Sequence, residues 1–351
     1  MANQRYAKLE LETTQGNENT ASVVATKDWF VPAEEVGLAP TPTLLDRSDE
    51  IRQLDGRVIG AQNEYAPTGA IGLRAYTRYL GFLFLLLFGE VTSKEANGTT
   101  DKDPLEAVIP KKAFLHTFKK KAGATPATAR MTLAYFDKWL EARGVSLSSL
   151  AFSLADDGVK ASGNLMANYI KRLTVDPADT PEVNTDAFSV LPFRRRNLKV
   201  ETPSLAATKL LDSVDFSLEQ TLEAVRPLGA ASGWPGATER ANGPEGFLRL
   251  QGSLARRDFD PVDWDALIAA SIFGLTFIFQ SEQNVPGTEG GTYPYSMFVK
   301  TQSAQFTGGG PENLKQQARH EANYDWQAGT SEAAKSDVEV LIVNDVKSYT
   351  E

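Results

Sequence analysis

One stretch constrains the fold more than any other: residues 79–88, Tyr-Leu-Gly-Phe-Leu-Phe-Leu-Leu-Leu-Phe. Ten residues without a charged or amide side chain must be hidden from water. A membrane span needs roughly 20 apolar residues, so this run is too short to be one. It is a buried element, and the rest of the chain must supply its cover. Leu and Phe without Val or Ile favour helix over strand, and Gly89 suits a helix C-terminus. The run predicts a helix over residues 77–88.

Most of the remaining chain reads as short strands. Alternation of apolar and polar residues predicts strands over 69–75, 113–119, 128–138, 214–219, 247–254, 275–280, 293–305 and 338–344. Residues 148–156 and 159–172 flank Asp156-Asp157-Gly158 and read as a hairpin. Asp260-Pro261 opens a second short helix over 262–270, with Asp at the N-cap and Pro at the first helical position. The sum is a mainly β chain, a β-sandwich or barrel with a flanking short α-helix, long loops and an extended N-terminal arm. No repeat of fixed period is visible, and the two halves share only a strand-rich texture.

The joints are polar. Residues 1–28 read as an arm that orders only against a neighbour, and 29–351 as the folded domain. Residues 37–57 read as a long loop or hairpin, because Gly37, Pro40 and Pro42 do not suit a central strand. Residues 97–103, 228–246 and 307–317 read as loops. The Asp/Pro/Thr-rich stretch at 175–193 reads as a linker, within a possible inserted segment near 175–213.

Composition removes several chemistries. The chain has no cysteine, so disulfides, thiolate metal sites and cysteine nucleophiles are excluded. Its two histidines, His116 and His320, are far apart in sequence and match no metal-ligand spacing. Gly308-Gly309-Gly310 lacks the Lys-Ser/Thr of a phosphate loop, and no GxSxG occurs. The acidic pairs Glu34-Glu35, Asp156-Asp157 and Asp258/Asp260 read as acidic loops. The basic runs 119–121 and 194–196 sit in a chain of net charge −9, which argues for solvated surface or subunit contact over phosphate binding. Trp29, Trp139, Trp234, Trp264 and Trp326 could stack sugars, but Trp more commonly serves a core or an interface. No catalytic, cofactor-binding or metal-binding residue is nominated, no cofactor is expected, and no membrane association is expected.

The order of segments resembles the tail tube proteins (major tail proteins) of long-tailed, non-contractile bacteriophages. The resemblance is carried by Lys8-Leu9-Glu10-Leu11-Glu12-Thr13-Thr14-Gln15-Gly16, by the apolar helix ending in Phe88-Gly89, by a pair of β-hairpins whose strands include 150–154 and 214–218, and by the C-terminal run 341–349. It implies a virion structural protein, made in the host cytoplasm, that self-assembles as homo-hexameric rings stacked into a tube. Each subunit would add sheet to an inner barrel and carry its helix outside. Arms, long loops and C-terminal segments would join rings. A tape measure protein would fill the lumen during assembly, tail terminator and baseplate or distal tail proteins would meet the ends, and DNA would pass through unbound. Another tail component, such as a terminator or a baseplate hub protein, is the alternative; a carbohydrate-binding β-sandwich stands behind both.

Overall fold

The computed structural model describes residues 5–20, 22–44, 62–95, 113–120, 125–135, 138–155, 158–174, 191–201, 211–226, 234–241, 248–256, 260–285, 294–311, 322–328 and 338–350. The protein is mainly β, with antiparallel pairing throughout the described strands and two α-helices among the described residues. The apolar run forms α1 (Thr77–Phe88) and ends on Gly89 at φ 82°. Tyr76 provides no side-chain cap, so burial holds this helix rather than capping. It lies inside the sandwich instead of flanking it. Phe84 stacks on Phe152 of one sheet at 5.9 Å and meets Phe118 on the other side at 5.8 Å.

A long sheet forms one layer. In spatial order it runs β3 (Ala33–Leu44), β4 (Gln62–Arg74), β9 (Gly158–Met166), β8 (Lys138–Ala155), β12 (Leu211–Glu219), β15 (Arg249–Arg256), β18 (Ala322–Ala328) and β17 (Pro294–Pro311). Behind it stand two further sets of strands. One is β2 (Ser22–Val31), β1 (Arg5–Thr14), β7 (Ala129–Tyr135), the first half of β8, and β10 (Tyr169–Leu173). The other is β11 (Leu198–Glu201), β16 (Phe273–Asn284), the first half of β17, β19 (Glu339–Asn344), β6 (Phe114–Lys120) and β5 (Gly89–Glu95).

This order contains one fold unit twice, a relation the sequence does not reveal. Strands β3-β4-β9-β8 in the first unit match β12-β15-β18-β17 in the second, in the same chain order though with different strands inserted between them. A helix follows the second strand in each: α1 after β4, and α2 (Pro261–Ile268) after β15. The back strands β1-β7-β8-β10 match β11-β16-β17-β19. Even the register breaks coincide. Breaks at Ala33/Glu35, Leu147/Ser149 and Ala129/Met131 answer breaks at Leu211/Ser213, Phe306/Gly308 and Phe273/Leu275. A β-bulge shifts every later side chain by one position, so three coincident bulges equate the units residue by residue. Gly69 then falls on Gly252. At both, a Cβ would strike the neighbouring strand's backbone, at the Gly37 carbonyl oxygen in one unit and that of Asp215 in the other. Residues 29–351, read as one domain with 1–28 as an arm, thus form with β1 two copies of the unit, and the β8–β12 pairing joins the copies.

Several loop and arm expectations are corrected. The polar N-terminal stretch is no free arm: β1 is paired on both sides, by β2 and β7, with Ala7 and Leu9 buried. Its charges suggest solvent but find partners within the fold. Glu10 is held by Arg130 at 2.7 Å, and Lys8 lies beside Glu10 at 3.5 Å. Of the loop at 37–57, residues 37–44 belong to β3, paired with β4 as a long ribbon that extends beyond β9; residues 45–57 lie outside the described residues. The region 228–246 contains β14 (Ala237–Arg240), paired with β13 (Leu222–Val225). The glycines at 308–310 belong to β17, not to a loop. The readings at 97–103, 121, 156–157, 175–190 and His320 fall outside the described residues. Asp260 caps α2 as expected, accepting from the Val262 N–H at 2.9 Å.

Candidate functional site

The strongest functional feature is the solvent face of the long sheet. Register places its outward residues in rows. One row reads Gly37, Ala70, Asn164, Ser149, Glu219, Arg249 from β3 to β15. The next reads Glu35, Gly72, Ser162, Ala151, Ser217, Gln251, Gln327, Gln305, crossing all eight strands. A third reads Arg74, Lys160, Ser153, Asp215, Ser253, Asp325, Gly308. The alternate residues, among them Ile71, Leu165, Leu150, Phe216, Leu250 and Trp326, are buried. None of the outward residues in these rows is a large apolar one, and most are short. Gly, Ser, Asn and Asp are poor strand formers, so this face gives up strand propensity to keep a low, hydrophilic relief.

Charge on the face is mixed. Arg74, Lys160 and Arg249 stand among Glu35, Asp215, Glu219 and Asp325. Glu34 on β3 pairs with Arg74 at 2.8 Å and reaches Lys160 at 4.0 Å. Glu219 accepts from Ser217 at 2.7 Å and from Gln251 at 3.2 Å. No basic stripe follows the rows, so the face offers phosphates no continuous track. A shallow hollow of about 310 Å³ lies at the β8–β12 junction in the middle of the sheet, lined by Ser148, Ser149, Asn164, Glu219, Gln220, Thr221 and Arg249. It holds no histidine beside its serines.

Other polar clusters are structural clamps. Ser93 Oγ lies 2.8 Å from His116 Nδ1, and His116 Nε2 lies 3.1 Å from Asn344 Oδ1. The order resembles a nucleophile–base–orienter chain. Here, though, His116 is wholly buried, and the Asn344 amide donates to Tyr349 Oη at 2.7 Å. Tyr349 in turn donates to the Arg78 carbonyl at 2.9 Å, and Arg78 pairs with Asp345. Burial pushes the Tyr349 phenol far up, and burial beside Asp345 pushes Tyr295 up to about 12, so both stay neutral. The cluster locks the C-terminal segment over the start of α1. At the other end of α1, Arg240 on β14 donates to the Phe88 carbonyl at 3.1 Å and to Gln220 at 2.8 Å, a cation where the helix dipole is negative. A third clamp is Glu12, which accepts from the Gly16 and Gly144 N–H groups at 2.9 and 3.0 Å; burial raises its pKa.

The basic runs and tryptophans that stand out in the sequence scatter over the fold. Among the basic runs, Lys119 pairs with Glu339 and Arg196 with Glu282. Trp326 is core, Trp29 stacks on Tyr349 at 5.2 Å, and Trp234 stacks on Tyr65 at 4.1 Å. They form no common platform. Among the described residues, no group of three or more His, Asp or Glu is placed to hold a metal, and no helix is long and apolar enough to cross a membrane. Neither a known protein-family model nor any curated protein matches the chain.

Proposed function

We propose that the protein is a structural subunit that polymerises into a tube, the tail tube of a long-tailed bacteriophage, with the low polar sheet face lining the lumen. One observation carries this reading: eight strands present a continuous face of mostly short hydrophilic residues, and among the described residues the sheet ends at residues 38–41 of β3 and 308–311 of β17 with no further strand paired to them. An unpaired edge invites another strand, and a ring supplies one. A lumen lined by short side chains of mixed charge lets a phosphate backbone, or a tape measure protein during assembly, pass without capture. Rings of six subunits are what the resemblance implies. Because this chain carries the unit twice, three chains provide six units, and we propose that count.

Electron microscopy of the purified protein tests the reading. Stacked rings or tubes of one width are expected, with a ring mass three times 38.2 kDa rather than six times. A chain that remains monomeric, and is present in few copies in any virion, sinks it. Copy number also separates a tube subunit, repeated along the tail, from a terminator or hub protein present in a single ring.

A further inference from the structure

The two units meet inside one chain, and that meeting has an unused counterpart. At the internal junction, β8 of unit 1 pairs with β12 of unit 2: Ser149 faces Glu219, Leu150 faces Leu218, and Phe152 faces Phe216. The equivalent of β8 in unit 2 is β17, and the equivalent of β12 in unit 1 is β3. Both lack a second partner among the described residues over this stretch. Helix α1 is roofed from unit 2, by β19 and by β6 docked on it, where Val340 faces Phe118. Counting from the caps Tyr76 and Asp260, Phe84 falls on Ile268, the last residue of α2. Phe84 is wholly buried, whereas Ile268 is 68% exposed, and Ile272, just past the end of the helix, is 69% exposed. Val262 and Trp264 add to the same exposed segment at 49% and 37%.

We propose that a second copy of the chain docks on this side of unit 2. Its β3 continues the long sheet from β17, in the register in which β12 meets β8, and its back strand β10 roofs α2 as β19 roofs α1. This deepens the tube reading by naming the seam, and it stands or falls separately from stacking.

The register follows from the residue equivalence. Gly308 meets Thr41 of the second copy, Gly309 meets Pro40, Gly310 meets Ala39, and Pro311 meets Leu38. The prolines fit this register. The Gln220 N–H donates to the Ser148 carbonyl at 2.9 Å, so alternate residues of β12, Leu218 and Phe216 among them, point their N–H groups at β8. Their equivalents are Pro40 and Leu38. Pro40 also faces Pro67 within its own ribbon, where neither can donate, so its backbone nitrogen points outward to the open edge. In the proposed seam Gly309 donates to the Pro40 carbonyl and Leu38 donates to that of Pro311. Each pair keeps one bond, and no proline meets a proline. The same prolines blunt both edges against unrelated strands. The run of three glycines, which serves no phosphate, thus acquires a place at the seam.

Because the chain has no cysteine, engineered pairs report without background. Gly308 tolerates a side chain, since its nearest atom to an added Cβ, in Asp325, lies at 3.7 Å. G308C and T41C chains, mixed, assembled and oxidised, are expected to give a covalent dimer on a non-reducing gel. The G308C/T41C double variant is expected to give a ladder that ends at the ring number. S149C/E219C, the in-chain counterpart, should close within one chain and so validates the register. Assembled chains that fail to cross-link, or G308C that links only to itself, overturn the proposal while leaving tubes possible. Cross-linked rings that never stack support the seam and overturn the tube reading. A monomer at every concentration overturns both. As a second variant, I268D should leave the monomer's melting temperature unchanged and raise the concentration needed for assembly by about tenfold or more. Unchanged assembly of I268D counts against the roofed helix.

Discussion

Helices α1 and α2 hold the same place in two copies of one unit, yet one is sealed and the other is bare. α1 is a twelve-residue helix with eleven buried residues; α2 spans eight residues and buries Asp263 and Ala266. The difference does not lie in the strands beneath them, which match bulge for bulge. It lies in what stands above. α1 has β6, β19 and the C-terminal clamp around Tyr349, all contributed by its own chain. The lesson is that matched strands can carry a helix sealed by its own chain in one unit and left open in the other, and the roof decides which.

Deletions and substitutions at matched positions sharpen this contrast. The largest effect should come from removing residues 2–20. That takes β1 from between β2 and β7, whereas its counterpart β11 is a four-residue edge strand on β16. Loss of the cooperative unfolding transition is expected; a truncated chain that still melts cooperatively would restore the reading of this segment as an arm. Next, Phe84→Ala should cost about 3–5 kcal/mol by denaturant titration, while Ile268→Ala at the equivalent position should stay within about 0.5 kcal/mol in the monomer. Equal losses would mean that α2 is covered within the chain.

A third contrast is chemical. Leu73 in unit 1 falls on Arg256 in unit 2, which is buried and paired with buried Asp263 at 2.6 Å. Asp263→Ala should cost about 3 kcal/mol, since it strands a buried guanidinium. Replacing both by leucine should recover most of that loss, and a double-mutant cycle measures the coupling. The smallest effect concerns Glu12. Burial raises its pKa above the ordinary carboxylate value of 4.5, so the folded state holds the proton more firmly than the unfolded chain. Its contribution is full below that value and is lost as pH rises through the folded pKa. Relative to Glu12→Gln, the natural chain should therefore lose stability between acidic and neutral pH. A pH-independent difference between the two would refute this.

Much of the fold is legible in the sequence. The helix at 77–88 and its Gly89 stop, the Asp260 cap, and most strands follow from periodicity and capping chemistry. β18 escapes that reading although Ala322, Tyr324, Trp326 and Ala328 alternate cleanly with Asn323, Asp325 and Gln327, because the preceding glycines read as a loop. β1 escapes it because Lys8, Glu10 and Glu12 look solvated; their partners, Arg130, Gly16 and Gly144, come from elsewhere in the chain or from a turn no local pattern announces. The polar face is partly visible in runs such as Ser149, Ala151, Ser153. Its extent is not, since it depends on strands brought together across the chain. The duplication is illegible for the same reason. At matched positions the residues rarely agree, as Leu38 against Phe216 or Leu73 against Arg256 shows, and what persists is where the bulges fall.

One such mismatch reaches further. In unit 1 Leu150 sits opposite Gly163; in unit 2 Gly309 sits opposite Tyr324. Each pair combines one side chain with one glycine, but the bulk has changed strands. A Cβ on Gly163 would come within 2.7 Å of Leu147, and one on Gly309 would strike the Asn323 carbonyl oxygen. Converting either arrangement into the other therefore requires two exchanges, and a chain that has made only one is either overcrowded or hollow. Two halves separated by such steps can drift apart but cannot easily copy each other back, so a strand transplanted alone from one half to the other should be rejected, whereas a transplanted hairpin should be accepted.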